Sequence, residues 1–227
     1  MTSTDSISVL VPTRNEQENL LACLTRIKDV PEVREVIVID SSDDDQVVEI
    51  AQDFGCQTLK SVPGRGTQIA LGSRHAKGEI IWIIHADTWP HPESGQAILR
   101  SFECPNVVGG AFTKRFREAT RLNWGSEWRC HALHFLANIQ FGDQALFVRA
   151  ETLRKVGGFP EVPLMEEFEL IRKITQLGRL KLIALPALTS ARRFQKRGAL
   201  KLYWTMTRVM ALYYLGKSPE ELARIYR

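Results

Sequence analysis

Short uninterrupted apolar runs alternate along this chain with stretches whose apolar residues recur at helical spacing. Ile7 to Val11 is the first run, followed by Pro12-Thr13-Arg14-Asn15-Glu16. Thr13 and Glu16 have capping-box spacing, and Leu20, Leu24 and Ile27 come next at helical intervals, which predicts strand, turn, helix. Arg34 to Asp40 is a second run that ends on an acid. Ser41 to Asp45 reads as a turn and helix start, with acids placed well against the helix dipole, and Val47, Val48, Ile50, Ala51 and Phe54 carry the helix. A weaker strand over Gln57 to Val62, a turn at Pro63-Gly64-Arg65-Gly66 and a helix from Thr67 to Lys77 follow. Ile80 to Ile84 has no polar interruption, so both of its faces are expected to be buried, as in a central strand of a parallel sheet. It stops at His85-Ala86-Asp87, where an extended chain would point His85 and Asp87 to the same side. Strands alternating with helices in this way predict a βαβ series with right-handed crossovers.

The second half changes character. Pro92 to Phe102 reads as a helix, and Val107 to Phe116 as an exposed or edge strand of alternating polarity. Thr120 to Asn138 is helix-like, with Trp124, Trp128, Leu133 and Leu136 available for packing. Phe141 to Val148 returns to strand, Gly157 to Pro160 is a turn, and Leu164 to Leu170 opens an acidic helix start. Leu180 to Leu185 is a further strand. Ala199 to Leu215 is a long apolar helix with Lys201 and Arg208 as its charges.

Composition narrows the class. The chain has 227 residues, 44% hydrophobic and 25% charged, which fits one ordinary globular domain with a sizeable core. Cys23, Cys56, Cys104 and Cys130 form no Cys-x-x-Cys pair, which argues against a zinc site and for a reducing, cytoplasmic setting. The net charge of +4 is too small to imply nucleic acid. The opening Met1 to Ser6 is too polar for a signal peptide, and no apolar run reaches the roughly 20 residues of a spanning helix.

In open α/β sheets ligands bind beyond the carboxyl ends of the strands. That singles out the Pro12–Glu16 segment, Asp40 and Asp87, each of which also has a plainer reading. Asp40 could be a helix N-cap, and Asp87 the start of a turn into Pro90. Glu167 could be an acid favoured by the dipole of its helix, and Arg65, Arg192 and Arg193 could be solvated bases or bidentate phosphate clamps. Asp143 follows Gly142 at what reads as a strand-end turn. Trp89, Trp124 and Trp128 could stack on a sugar or simply pack, and His131 and His134, one helical turn apart, read as structural.

Taken in order, these segments resemble family 2 glycosyltransferases. Pro12-Thr13-Arg14-Asn15-Glu16 is similar to that family's opening signature, Asp40 to its nucleotide-binding Asp, and Asp87 to the last residue of its Asp-x-Asp metal motif. Glu166-Glu167 resembles its Glu-Asp motif. Gly64-Arg65-Gly66-Thr67-Gln68, Gly142-Asp143-Gln144 and Ser190-Ala191-Arg192-Arg193 look like a compact, single-domain bacterial branch. The resemblance implies a GT-A fold: an α/β, Rossmann-like and mostly parallel sheet flanked by helices, with a smaller acceptor-side half and C-terminal helices. Residues 1–92 would form the nucleotide-sugar half, 93–198 the acceptor and catalytic half, and 199–227 a helical tail.

The activity implied is inverting transfer of a sugar from a UDP- or GDP-sugar to a hydroxyl of a sugar or lipid-linked acceptor. Mn²⁺ or Mg²⁺ would sit at Asp87 and Glu167 would be the base. Pro12, Asn15, Glu16, Asp40, Arg65, Gln68, Arg192 and Arg193 would hold the donor. His85 stands where the family's first metal-motif Asp usually stands, Glu167 where the base is usually Asp, and Ser41-Ser42 where a more flexible pair is usual. A sugar-phosphate nucleotidyltransferase is the alternative enzyme, though its glycine-rich loop would normally follow the first strand. A non-catalytic module is the other alternative: the apolar tail helix with Arg192, Arg193, Lys196, Arg197 and Lys201 fits attachment to a membrane surface, against packing on the domain's own core.

Overall fold

A computed structural model describes residues 6–118 and 126–226. The opening five residues, and the start of the helix expected from Thr120 with its Trp124, lie outside them. The first half follows the expected series. Strand β1 (Ile7–Thr13) leads into α1 (Gln17–Lys28), β2 (Val33–Asp40) into α2 (Gln46–Asp53), β3 (Gln57–Lys60) into α3 (Arg65–His75), and then β4 (Ile80–Ile83). These four strands are parallel, with β1 between β2 and β4. The second half adds β5 (Thr88–Trp89), α4 (Ser94–Ser101), β6 (Val107–Phe116), α5 (Ser126–Ala137), β7 (Phe147–Arg149) and α6 (Ala150–Lys155). It closes with α7 (Glu166–Ile174), β8 (Arg179–Thr189), α8 (Arg192–Arg197), α9 (Ala199–Tyr214) and α10 (Pro219–Tyr226). All strands join one eight-stranded sheet in the order β3-β2-β1-β4-β7-β6-β8-β5. Here β7 is antiparallel to both of its neighbours, β5 is antiparallel to β8, and β6 runs parallel to β8.

The unbroken apolar runs are explained by cover on both faces. Val9, Val11, Trp82 and Ile84 pack with Leu20, Leu24 and Ile27 of α1 on one side of the sheet. Leu10, Ile37, Ile39, Ile81 and Ile83 pack with Ile69 of α3 and with Leu170 and Ile174 of α7 on the other. Alternate side chains of each strand thus enter separate cores, as a pleated strand requires.

Three expectations are corrected. Val107–Phe116 is an interior strand, flanked by β7 and β8 and buried at every position but Arg115. Its Lys114 suggested a solvated face but turns inward to the Asp143 carboxylate. The strand expected over residues 141–148 is a 3₁₀ turn at Gly142–Gln144, in which the Gln144 side chain accepts from the Phe141 amide at 2.8 Å, and strand pairing begins only at Phe147. The chain also does not stay extended after β4: the Thr88 amide donates to the His85 carbonyl at 2.9 Å, folding back through Ala86 and Asp87. The tail helix α9 does pack on the domain, burying Leu202 and Val209, but Leu200 and Trp204 stay 88% and 65% exposed on its other side. Among the described residues no helix is long and apolar enough to cross a membrane.

Candidate active site

The register of the parallel strands assembles the site. Thr13 pairs with Asp40 and Leu10 with Ile83, so β1, β2 and β4 end side by side. Their carboxyl ends deliver Pro12, Arg14, Glu16 and Asp87 to a cavity of about 380 Å³, which Arg65 and Gln68 of α3 close from the far side. Five of the residues expected at the donor or metal thus meet, Pro12, Glu16, Arg65, Gln68 and Asp87, joined by Arg14, while Asn15 and Asp40 do not line the cavity.

Those two lie behind the cavity. Asn15 is exposed and adopts a left-handed φ of 54°, with its amide donating to Ser42 Oγ at 2.8 Å. Asp40 is fully buried and accepts from Thr13 Oγ1 (3.0 Å), Ser42 Oγ (2.6 Å) and Lys60 Nζ (3.2 Å). Its carboxylate pins the β1 turn to the β2 turn. Gln68 has a similar role, since its Nε2 donates to the carbonyls of Thr13 and Ile39, both at 2.7 Å. Arg192 reaches back across the site to Glu16, with one guanidinium nitrogen 2.9 and 3.1 Å from the two carboxylate oxygens. The Arg193 side chain lies outside the described residues.

Asp87 faces the same cavity. Burial raises its pKa, and Glu16 and Asp143 raise it further against the pull of Arg117 and Arg192. Among the described residues no three His, Cys, Asp or Glu side chains cluster as a metal cage. A divalent ion here would take one protein carboxylate and complete its shell with substrate oxygens and water, which suits Mg²⁺ and Mn²⁺. The acid-rich surroundings of Asp87 fit such a cation.

A second cavity, of about 200 Å³, adjoins the first and shares Arg65, His85 and Asp87 with it. Glu167 lines it from the first turn of α7. That turn follows Met165, a non-glycine residue at φ 66°, buried beside Val209 and Leu222. Packing of this kind is what sustains an otherwise costly backbone conformation. Glu166 and Glu167 are both buried and both engage Arg65, Glu166 through Nε and Glu167 through an NH₂ group 3.1 Å away. Gly66 permits this approach of α3, since a Cβ there would fall 2.6 Å from the Pro160 carbonyl oxygen. Burial holds the Glu167 pKa well above the usual carboxylate range against the pull of Arg65, with Glu166 adding to the rise. Oε1 of Glu167 accepts no hydrogen bond, though it lies 3.1 Å from the Arg65 NH₂ group, and it is the oxygen nearest Gly142.

Asp143 and His85 complete the polar floor. Although burial works to raise the Asp143 pKa, Lys114 holds it down by charge and by a hydrogen bond to Oδ2, and Oδ1 is left without a partner. His85 Nε2 is buried and unpartnered; burial, then Arg65, lower its pKa to about 4, so the ring is neutral. The charges acting on His85 are Arg65, Asp143, Glu166 and Lys114, whereas those on Asp87 are Glu16, Asp143, Arg117 and Arg192. The two side chains thus line the same cavities and share Asp143, but each answers to a different pair of cations. Lys114 was not singled out from the sequence, and Gly142 entered only as part of the Gly142-Asp143-Gln144 resemblance, with no role given to it. A lysine breaking the apolar face of a strand was the available signal for the first; nothing local marks the second.

The Glycosyl transferase family 2 model matches residues 8–158. The chain is 24% identical to the probable glycosyltransferase YdaM of Bacillus subtilis, over 76% of this chain and 47% of that protein. It is 27% identical to the glycosyltransferase AglE of Haloferax volcanii, over 70% and 58%. The chain therefore spans only about half the length of these relatives. In fold it resembles the mannosyltransferase PcManGT of Pyrobaculum calidifontis, solved with GDP-Man and Mn²⁺, with a TM-score of 0.71 and 22% identity over 99% of this chain and 69% of that one. Glucosyl-3-phosphoglycerate synthase of Mycobacterium tuberculosis, solved with Mn²⁺, UDP and glucosyl-3-phosphoglycerate, gives a TM-score of 0.64 and 20% identity over 87% and 76%. The sheet is that of the GT-A glycosyltransferases, and the chain belongs to glycosyl transferase family 2.

Proposed function

We propose that this chain transfers a sugar from a UDP- or GDP-linked donor to an acceptor hydroxyl, inverting the anomeric carbon, with Mn²⁺ or Mg²⁺ at Asp87. One observation carries the reading: the cavity at the strand ends and the cavity holding Glu167 meet at Arg65, His85 and Asp87. Structures of similar fold that hold GDP-Man or UDP with Mn²⁺ support the donor class. A divalent ion bound there supplies Lewis-acid stabilisation of the departing diphosphate.

The protein's own groups divide the remaining work. Arg65 lines both cavities, so its guanidinium serves phosphate oxygens on one side while it orients Glu167 on the other. Glu167 takes the acceptor proton as the acceptor oxygen bonds to the anomeric carbon and the bond from that carbon to the diphosphate oxygen breaks. Its Oε1, which accepts no hydrogen bond, is the oxygen available for that proton. Glu166 holds Arg65 and does not line the cavity.

Glu167→Gln keeps size and hydrogen bonding but removes basicity, so turnover should fall roughly 10²-fold or more while nucleotide-sugar binding survives. Glu166→Gln is the control and should stay the more active of the two. An inactive Glu166→Gln beside an active Glu167→Gln would move the base by one residue, and a product of retained configuration would exclude single displacement. Contact with a membrane surface belongs to the same proposal, supported by the exposed Leu200, Trp204 and Leu215 of the α9 region beside Lys201 and Arg208. Salt-sensitive sedimentation with anionic vesicles is the expected result, and a protein that stays in the supernatant at low salt would remove it.

A further inference from the structure

The second cavity is built in two parts. Its floor carries Arg65, Lys114, Asp87, Asp143 and Glu167, while its walls are Phe168, Phe194, Leu202, Met206, Val209 and Met210. Most of the wall comes from α9, which joins two small apolar clusters: Leu202 with Phe116 and Phe194 on one side, Val209 with Met165 and Leu222 on the other. Phe168 is held edge-on between Phe141 (5.6 Å between ring centres) and Tyr213 (6.1 Å). The wall is therefore formed by side chains packed in place.

The floor is not built for an anion. On this side of the site Arg65 is taken up by Glu166 and Glu167, and Lys114 by Asp143. On the floor itself two cations, Arg65 and Lys114, face three carboxylates, Asp87, Asp143 and Glu167. A bound divalent ion would be matched by the donor's diphosphate, leaving nothing over for an acidic acceptor.

Resting on the transferase reading above, we infer that the acceptor is a neutral alcohol with an apolar body, whose hydroxyl meets Glu167 and whose hydrocarbon lies against α9. The phosphoglycerate of the mycobacterial synthase is of the opposite chemistry. About 200 Å³ is ample for such a group, since a dry apolar cavity of about 150 Å³ takes up benzene. In the transfer the alcohol oxygen bonds to the anomeric carbon, its proton passes to Glu167, and the nucleoside diphosphate leaves with the bonding electrons.

The test measures binding to the whole protein loaded with Mn²⁺ and a nucleoside diphosphate. The probes are 1-butanol, 1-hexanol and 1-octanol, with octyl phosphate and 3-phosphoglycerate as anionic comparators. Affinity should rise about fourfold per methylene until the cavity is filled. Octyl phosphate should bind more weakly than 1-octanol, and 3-phosphoglycerate should not compete with it. Met206→Gln, a partly buried position where the helix tolerates the change, should flatten the series without altering nucleotide affinity. Equal affinity along the series, octyl phosphate binding as tightly as the alcohol, or displacement by 3-phosphoglycerate would each overturn the inference. Nucleotide binding is measured before any alcohol is added. Its failure would count against the transferase reading, and its success with a flat series against the acceptor alone.

Discussion

Gly142→Ala tests whether Glu167 is held where catalysis needs it. A Cβ at Gly142 would fall 2.0 Å from Glu167 Oε1 and 2.7 Å from its Cδ. Ordinary contact begins at 3.4 Å, which leaves 1.4 Å to be made up, and the colliding group is the proposed reacting carboxylate itself. Arg65 holds both oxygens of that carboxylate at 3.1 Å, so the side chain must swing away from its partner rather than settle back. Misplacing a reacting group by about 1 Å costs on the order of 10²-fold in rate. The extra methyl should also cost about 1–3 kcal/mol of stability, the usual range for overpacking.

Gly142 does not line the donor cavity, so nucleotide affinity should stay at the wild-type value. The assay is turnover at saturating donor and acceptor, with nucleotide binding and a urea midpoint measured on the same preparations. The decisive variant is the double mutant. Glu167→Asp draws the carboxylate back by one methylene, so Gly142→Ala/Glu167→Asp should turn over faster than Gly142→Ala alone, a coupling that additive damage does not produce. Gly142→Ala with turnover within threefold of wild type, or a double mutant slower than both singles, would refute the reasoning.

Three further predictions concern the surrounding groups. Asp87→Ala should abolish the metal dependence of nucleoside diphosphate binding with the fold intact by circular dichroism; unchanged metal dependence would remove Asp87 as the ligand. Asp40→Ala should weaken UDP or GDP binding even without metal and cost about 1–3 kcal/mol, because Lys60, Thr13 and Ser42 lose their common acceptor; equal nucleotide affinity would place the base pocket elsewhere. His85 is held neutral, with its pKa lowered to about 4, so stability from this site is lost as pH falls from about 6.5 toward 4, up to about 3 kcal/mol. His85→Gln should remove that part of the acid sensitivity in urea midpoints taken at pH 7 and pH 4.5. Glu167, with its pKa raised, contributes in the opposite direction: the folded state loses stability from it as pH climbs above the ordinary carboxylate range.

Much of the molecule was legible because its strongest signals are local. The continuous apolar runs at Ile7–Val11 and Ile80–Ile84 could be satisfied only by cover on both faces, and the helices between them supply it. A parallel βαβ series then brings strand ends to one edge whatever the loop details, which is why Pro12, Glu16, Arg65, Gln68 and Asp87, named through the family resemblance, line one cavity. The errors came where polarity had two readings. Lys114 gave β6 the look of a solvated strand because a buried lysine and an exposed one are the same letter, and only its carboxylate partner tells them apart.

What the sequence determined by itself was therefore the sheet's first half, the edge at which the site lies and the residue types available there, since periodicity and strand-end chemistry act over a few residues. What only the tertiary structure decided was who faces whom. That Asp40 and Gln68 brace the β1 and β2 turns, that Arg192 closes on Glu16 from 176 residues away, and that Gly142 makes room for Glu167 all depend on contacts between distant segments. No pattern of neighbouring residues encodes such contacts. They arise when the packed core fixes the backbone and leaves each buried charge to find its partner.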